Sequence, residues 1–309
     1  MKTHHHSILF LSILFLRCAL LLIISVVFVC MHANTMAQVN DALPFKLIRH
    51  QMIVIPVTIN GVGPFEFLLD TGTNTTLIEP ELAKELGLRP VDRIMLTTVA
   101  GEQAVPRAFL RRLAVGPARS EQVETLITEM PSLHKLRASI RGTLGQNFLS
   151  RFNYLLDYRE RRIEFDIDGK LATRLQGARV PFESHEGLIV SKAQPMPSCE
   201  TTWRLVLDSG STNLILFSPL KLSRDFELAL QESNLLEATT NMGHRTVQRD
   251  LIPKLQIGDA IFSDLSVAMV PPHTSEQAAD GLLPMSLFRA IYVNHQKHYV
   301  IFNPRPRTP

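Results

Sequence analysis

The stretch that decides the fold is Phe65-Glu66-Phe67-Leu68-Leu69-Asp70-Thr71-Gly72-Thr73-Asn74, which returns later in the chain as Trp203-Arg204-Leu205-Val206-Leu207-Asp208-Ser209-Gly210-Ser211-Thr212-Asn213. In both copies an apolar, strand-like run ends in an aspartate, which is followed by a hydroxyl residue, a glycine and a second hydroxyl residue. The two aspartates are 138 positions apart. Because both carboxylates follow the same local pattern, we expect them to meet in one active site.

Other landmarks repeat at nearly the same spacing, which a chance match does not predict. Each half carries a strand that runs into a Gly turn, then an element in which Leu144 corresponds to Leu283, and finally two aromatic strands. The paired segments are 113–116 with 255–258, 141–149 with 280–288, 152–158 with 291–295, and 163–165 with 299–302. The chain therefore reads as a duplicated β-rich unit.

Composition excludes several classes of protein. With 309 residues and 45% hydrophobic content, the chain can bury one large core or two smaller ones, so disorder is excluded as its main state. Without residues 1–37, 30 basic and 29 acidic residues remain. Together with one Trp and four Tyr, this balance predicts no nucleic-acid partner. Cys199 is the single cysteine after residue 37, so no internal disulfide is expected there.

The N-terminus carries an export signal. Residues 8–29 form an apolar run interrupted by Arg17, and small residues follow near Ala37. Cleavage before Gln38 would release a periplasmic protein. The run is also long enough to span a bilayer, at about 20 residues per helix, so an uncleaved membrane anchor is the alternative.

Local signals divide the chain further. The Asn60-Gly61 pair predicts a tight hairpin turn leading into the first acidic turn. Residues 79–88 predict a short helix, and helical insertions are expected at 131–140 and 219–230. A boundary between the halves falls near Asp168-Gly169-Lys170. Polar reversals around Gly101 and Gly243 are either mobile hairpins over a cleft or ordinary surface hairpins.

The two acidic turns, the strands before them and the later Leu144-Gly145 element resemble the aspartic proteases of the retropepsin and pepsin clan. The stretch from Ile59 to Gly72, with Leu82-Ala83-Lys84-Glu85-Leu86-Gly87-Leu88 behind it, is most similar to bacterial exported members of the retropepsin-like family. The resemblance implies a mainly β fold with two similar closed β-barrel-like lobes, a few short helices and a catalytic cleft between the lobes. Residues 1–37 would be the signal peptide or anchor, 44–168 the N-terminal lobe and 175–305 the C-terminal lobe.

The resemblance also assigns roles to residues of the two turns. Asp70 and Asp208 would form the catalytic dyad of an intramolecular pseudo-dimer, active as a monomer. Thr71 and Ser209 would each brace the opposite loop, while Thr73 and Ser211 would hydrogen-bond the outer carboxylate oxygens. Gly72 and Gly210 would let the two backbones approach closely. Gly101 and Gly243 would be the tips of flaps, and Pro284 stands where the first lobe has Gly145.

Two adjacent carboxyl groups can hold one proton between them and activate a water for attack on a peptide carbonyl, with no metal or cofactor. The expected activity is therefore that of an aspartic endopeptidase acting on peptides or proteins. The alternative is a protease-like module that binds peptides or envelope proteins without cutting them. Zinc and serine hydrolases have no local motif in this chain, since it lacks His-Glu-x-x-His and Gly-x-Ser-x-Gly.

Overall fold

The computed structural model describes residues 42–98, 101–196, 201–217, 234–240, 243–270 and 279–307, most of which lie in β-strands. The strands are β1 Ala42–Pro44, β2 Lys46–Ile48, β3 Met52–Ile59, β4 Val62–Leu69, β5 Thr76–Ile78, β6 Asp92–Thr98, β7 Gly101–Val115, β8 Ala118–Ile127, β9 Ile140–Leu144, β10 Tyr154–Asp157, β11 Arg162–Phe165, β12 Leu175–Gln176, β13 Arg179–Pro181, β14 Glu183–His185, β15 Leu188–Met196, β16 Trp203–Asp208, β17 Leu214–Leu216, β18 Asn234–Thr240, β19 Gly243–Ile257, β20 Ala260–Met269, β21 Gly281–Pro284, β22 Ala290–Asn294, β23 Tyr299–Phe302 and β24 Arg305–Pro306. The helices are α1 Pro80–Glu85, α2 Pro131–Leu136, α3 Gln146–Leu149 and α4 Leu171–Arg174, with a 3₁₀ helix at Met285–Leu287.

The first lobe is a closed barrel. Strands β3, β4, β9, β5, β8 and β7 follow one another in hydrogen-bonded order, and β7 pairs back to β3 to close the ring. Strands β2 and β6 extend the sheet at its two ends. Because β3 and β7 pair with each other, the free edges of this sheet lie at β2 and β6 and not at the strands of the barrel.

The second lobe repeats this arrangement strand for strand. The order there is β15, β16, β21, β17, β20 and β19, and β19 pairs back to β15. Strands β14 and β18 take the places of β2 and β6. The prediction of a mainly β fold with two similar closed lobes and a few short helices is therefore confirmed.

Local sequence explains the entry to the first acidic turn. Asn60 and Gly61 both adopt positive φ, at 53° and 86°, as a two-residue turn between twisted antiparallel strands requires. Helix α1 begins at Pro80 and is followed by Gly87 at positive φ, in keeping with the helix predicted at 79–88. Of the two predicted insertions, the first forms α2, and the one at 219–230 lies outside the described residues.

A third sheet joins the two halves. Its order is β1, β11, β10, β22, β23 and β13, so the aromatic strands that the sequence places at the end of each half pair with one another. At its centre β10 and β22 run antiparallel, with Leu155 opposite Tyr292. Main-chain hydrogen bonds therefore connect the halves directly, and the residues from Ala42 onward form one compact unit.

Two aromatic pairs occupy equivalent places at the ends of this third sheet. Phe45 packs edge-on against Tyr158 at 6.2 Å, and Phe182 packs edge-on against His295 at 5.7 Å. The second pair follows the first by 137 positions in both members. The duplication thus extends beyond the barrels into the shared sheet, but with a histidine in place of a tyrosine.

The buried His295 predicts an acid-linked loss of stability. Burial, reinforced by the charge of His298, lowers the pKa of His295 from 6.5 to about 4. Between pH 6.5 and pH 4 the unfolded chain therefore binds a proton at this histidine and the native state does not. The free energy of unfolding that is present above pH 6.5 is lost as the pH falls toward 4. The loss amounts to about 3 kcal/mol. Urea unfolding at pH 4 and pH 7 measures it.

His295→Phe keeps a ring against Phe182 and removes the titrating group, so we expect a smaller loss of stability between pH 7 and pH 4 than in the unsubstituted chain. The exposed His185 provides the control, because His185→Gln leaves the buried ring in place. An identical pH dependence in His295→Phe and His185→Gln would contradict the prediction.

Within the described residues, no helix combines the length and the hydropathy needed to cross a bilayer. The predicted export segment at residues 8–29 lies outside those residues.

Candidate active site

Both aspartates stand at the ends of paired strands. Strand β4 ends at Leu69, which lies opposite Leu144 of the parallel strand β9, and the Asp70 backbone N–H donates to the Leu144 carbonyl at 3.0 Å. In the second lobe Asp208 ends β16 and lies opposite Pro284 of the parallel strand β21. The flanking residues Leu69, Leu144, Leu207 and Leu283 are fully buried. Apolar burial of the strands therefore fixes where each carboxyl group emerges.

The two carboxyl groups are in direct contact. Asp70 and Asp208 hydrogen-bond one another, although their side chains come from opposite lobes. They are 9% and 5% exposed. Burial raises the pKa of both groups, and the negative charge of Asp208 raises the pKa of Asp70 further. The pair therefore keeps a proton above the usual carboxyl range.

Backbone N–H groups hold each carboxylate from its own loop. Gly72 N–H donates to Asp70 Oδ1 at 2.9 Å, and Gly210 N–H donates to Asp208 Oδ1 at 2.7 Å. Ser211 N–H adds a second donor to Asp208 Oδ1 at 3.2 Å. Such bonds favour the ionised form of a carboxyl group. Asp208 accepts two of them and Asp70 accepts one, so Asp208 is better suited than Asp70 to be the ionised member of the pair.

Thr71 and Ser209 form a reciprocal brace between the loops. Thr71 N–H donates to Ser209 Oγ at 3.0 Å, and Ser209 N–H donates to Thr71 Oγ1 at 2.9 Å. Each hydroxyl then donates onward to the opposite strand, Thr71 to the Leu207 carbonyl at 2.7 Å and Ser209 to the Leu69 carbonyl at 2.8 Å. Four buried hydrogen bonds thus tie the loops at the two sides of the dyad.

Neither Gly72 nor Gly210 has room for a Cβ atom. A Cβ atom on Gly72 would lie 2.4 Å from the carboxyl carbon of Asp208, and one on Gly210 would lie 2.6 Å from that of Asp70. Each loop therefore packs against the carboxylate of the other lobe. No residue larger than glycine fits while the dyad keeps its geometry.

The second hydroxyl residues of the turns differ from one another. Ser211 donates its backbone N–H to Asp208 Oδ1, as described above, and its side chain lies close enough to this carboxylate to lower the pKa of Asp208. The half-buried Thr73 makes no side-chain hydrogen bond to Asp70 among the described residues, and its carbonyl instead accepts from Gln146 N–H at 2.9 Å. The part that the resemblance implies for the Thr73 hydroxyl therefore stays a prediction.

Three further residues that the sequence did not single out contact Thr71 or Thr76, in or next to the first acidic turn. Gln146 Nε2 donates to the Thr71 carbonyl at 3.1 Å, and Asn147 Oδ1 accepts from the Thr76 hydroxyl at 2.8 Å. Met285 Sδ lies 3.2 Å from Thr71 Oγ1. The available signal was a Gln-Asn pair within the otherwise apolar repeated element that follows Leu144-Gly145.

The departure at Pro284 has a local explanation. A Cβ atom on Gly145 would lie 2.6 Å from the Thr75 carbonyl carbon, so the first lobe needs glycine there. In the second lobe Pro284 keeps the strand position opposite Asp208. The element therefore supports both aspartates from equivalent places, although its chemistry differs between the lobes.

Both predicted reversals form hairpins. Strands β6 and β7 pair from Thr98 and Gly101 onward, and β18 and β19 pair from Thr240 and Gly243 onward. Gly101 and Gly243 are the first residues of their second strands, while residues 99–100 and 241–242 lie outside the described residues. Their function as flaps stays a prediction.

In the part of the chain that the structure describes, no group of three or more His, Cys, Asp or Glu side chains could hold a metal ion. The chemistry available at the site is that of two carboxyl groups sharing a proton, with backbone N–H donors beside them.

Comparison with known proteins gives one family match and a match to a solved structure. Residues 55–148 match the model of the family described as aspartyl protease; this range contains Asp70 and not Asp208. No curated protein matches the chain. A crystal structure of a retropepsin-like aspartic protease from Rickettsia conorii is 18% identical, with a TM-score of 0.29, and the alignment covers 40% of this chain and 87% of that chain. The family match supports a relation between residues 55–148 of this chain and aspartyl proteases.

Proposed function

We propose that the chain is an aspartic endopeptidase that hydrolyses peptide bonds with water activated by Asp70 and Asp208. The observation that carries the proposal is the direct hydrogen bond between two buried carboxyl groups, one from each lobe. A module that only binds peptides has no physical need to hold two carboxyl groups in contact, because desolvating them costs free energy.

The proposed reaction uses only these two groups and a water. The ionised carboxylate takes a proton from the water as its oxygen bonds to the scissile carbonyl carbon, and the protonated carboxyl group donates to the carbonyl oxygen. In the collapse of the resulting tetrahedral diol, the carboxyl group that took the proton from water gives it to the amide nitrogen, and the other carboxylate takes a proton from one diol hydroxyl. The C–N bond breaks, leaving a carboxylic acid and an amine. Both carboxyl groups then return to the state with one shared proton.

The brace between Thr71 and Ser209 supports this proposal because the reaction depends on the distance between the carboxyl groups. A misplacement of about 1 Å can cost about 100-fold in rate. Four hydrogen bonds between the loops oppose such a displacement. The substrate would lie extended between the lobes and pair its backbone with the cleft edges, which favours peptides and unfolded protein segments.

We place the two lobes at residues 44–168 and 175–305, with strands of both entering the shared third sheet, so that a monomer holds a complete site. We also propose that residues 1–37 export the protein, which then acts in the periplasm or from a membrane anchor formed by residues 8–29.

A peptide-cleavage assay with the full chain tests the proposal. We expect cleavage of members of a diverse peptide library between pH 3 and pH 7, and we expect Asp208→Asn to abolish it. The control is Asp157→Asn, which removes a carboxyl group that accepts a hydrogen bond from the Glu160 N–H and makes no hydrogen bond to Asp70 or Asp208 among the described residues. If the unsubstituted chain cuts no peptide, and if Asp208→Asn binds peptides with the same affinity as the unsubstituted chain, the chain is a binding module.

A further inference from the structure

We infer that Gln146 is a positioning residue for Asp70: its side-chain amide orients the peptide group whose N–H holds the Asp70 carboxylate. The inference rests on the proposed function and extends it to a residue that does not touch the reacting atoms.

The contact is made by a fully buried side chain. Gln146 begins α3 and is 0% exposed. Its Nε2 donates to the Thr71 carbonyl at 3.1 Å, and its backbone N–H donates to the Thr73 carbonyl at 2.9 Å. A single residue thus binds two carbonyl groups of the first acidic turn.

The Thr71 carbonyl belongs to the same peptide group as the Gly72 N–H. That group is planar and trans, so its C=O and N–H bonds point in opposite directions. When the oxygen is held by Gln146, the N–H is aimed at Asp70 Oδ1, which it binds at 2.9 Å. The amide therefore acts on the dyad through one rigid unit.

The orientation of the Gln146 amide follows from its partner. A peptide carbonyl only accepts hydrogen bonds, so the NH₂ group must face Thr71 and the side-chain oxygen must point away. The Tyr154 hydroxyl lies near the Gln146 amide, and burial raises the pKa of Tyr154. Neither this hydroxyl nor the Gln146 side-chain oxygen has a hydrogen-bond partner among the described residues, so the Thr71 carbonyl is the partner that orients the amide.

The second lobe has no described side-chain amide that donates to the carbonyl of its acidic turn. The registers of β9 and β21 place Met285 where the first lobe has Gln146, and a thioether has no hydrogen to donate. No described residue donates a hydrogen bond to the Ser209 carbonyl, which is the counterpart of the Thr71 carbonyl. The duplicated site is therefore asymmetric, and Gln146 acts on the Asp70 side alone.

Two substitutions test the inference. Gln146→Met installs the residue of the second lobe and removes the donor; we expect kcat to fall by about 100-fold and KM to change by less than about twofold, because the substrate does not contact Gln146. Gln146→Glu can donate only when protonated, so we expect near-normal kcat at pH 4 and a progressive loss toward pH 7 relative to the unsubstituted chain. A purely structural residue would show no such rescue by acid.

Leu149→Val is the matched control, because Leu149 is buried in the same helix and makes no side-chain hydrogen bond to the turn. We expect it to lower the melting temperature with kcat per folded molecule unchanged. Unchanged kcat in folded Gln146→Met, or equal losses in Gln146→Met and Leu149→Val, would overturn the inference.

Hydrogen exchange gives a readout that does not depend on catalysis. In Gln146→Met we expect amides of residues 70–75 to exchange about tenfold faster, while those of residues 208–212 keep their rate. If the unsubstituted chain cuts no peptide, the proposed function fails, but this exchange difference still decides whether Gln146 holds the first turn. Equal exchange of residues 70–75 in both proteins would refute the positioning role.

Discussion

Asp70→Asn is expected to abolish peptide cleavage and, at neutral pH, to stabilise the folded chain. An asparagine matches the shape of the aspartate and cannot exchange a proton, so the shared-proton chemistry ends. Removal of a general acid or base costs about 10²–10⁴ in rate, and here the substitution removes a member of the pair itself. We therefore expect a loss of about 10³-fold or more in kcat, measured with the peptides that the unsubstituted chain cleaves.

The gain in stability follows from the raised pKa of Asp70. Burial and the charge of Asp208 raise the pKa of this carboxyl, so the native state holds a proton that the unfolded chain releases above its ordinary pKa of about 3.9. The associated stability is present at low pH and is lost as the pH rises, at no more than about 1.4 kcal/mol per pH unit. By pH 7 this loss is at most about 4 kcal/mol, and Asp70→Asn avoids it.

Unfolding in urea at pH 4 and pH 7 separates the two effects. We expect the difference between Asp70→Asn and the unsubstituted chain to grow with pH, in favour of the variant. Asp157→Asn serves again as the control and should show no such growth. Parallel stability curves for Asp70→Asn and the unsubstituted chain would mean that the two carboxyl groups do not share a proton.

Gly72→Ala is expected to destroy the site by displacing the loops rather than by changing its chemistry. The added methyl group would lie 2.4 Å from the Asp208 carboxyl carbon, which no relaxed contact allows. The carboxylate itself must move, since the braced backbone behind it cannot. We expect kcat to fall by about 100-fold or more, with overpacking costing about 1–3 kcal/mol of stability.

Gly210→Ala should behave in the same way, because its methyl group would meet Asp70 at 2.6 Å. Gly169→Ala is the control: Gly169 has a positive φ, of 72°, and open space around it, so alanine there costs about 1 kcal/mol and leaves the dyad untouched. Normal kcat in folded Gly72→Ala, measured per folded molecule, would show that the loops do not pack as closely as the site requires.

Much of the fold followed from short-range pattern. Asn60-Gly61 between two apolar runs is sufficient for a hairpin, Pro80 is sufficient to begin α1, and the repetition of whole landmarks predicts two lobes of the same kind. The sequence also singled out Asp70 and Asp208, since each follows a strand whose leucines must be buried. These features depend on residues close together in the chain, where propensity and periodicity determine structure.

The remainder depends on residues far apart in the chain. Nothing in the run from Tyr154 to Tyr158 or in the run from Ile291 to His295 indicates that these strands pair with each other across the two halves, because antiparallel partners are chosen by tertiary packing. Likewise, Gln146 is an ordinary polar residue of a short helix until the fold brings its amide to the Thr71 carbonyl.

The sequence by itself therefore determined that the chain is a duplicated β protein with two equivalent carboxylates, because a repeated local pattern folds alike twice. The meeting of these carboxylates and the brace between Thr71 and Ser209 were expectations until the tertiary structure brought the two loops together, and only the tertiary structure decided that the two sides of the site are supported differently. Contact between the lobes depends on the shared sheet and on space left by Gly72 and Gly210, and such distances are set by packing across the whole molecule.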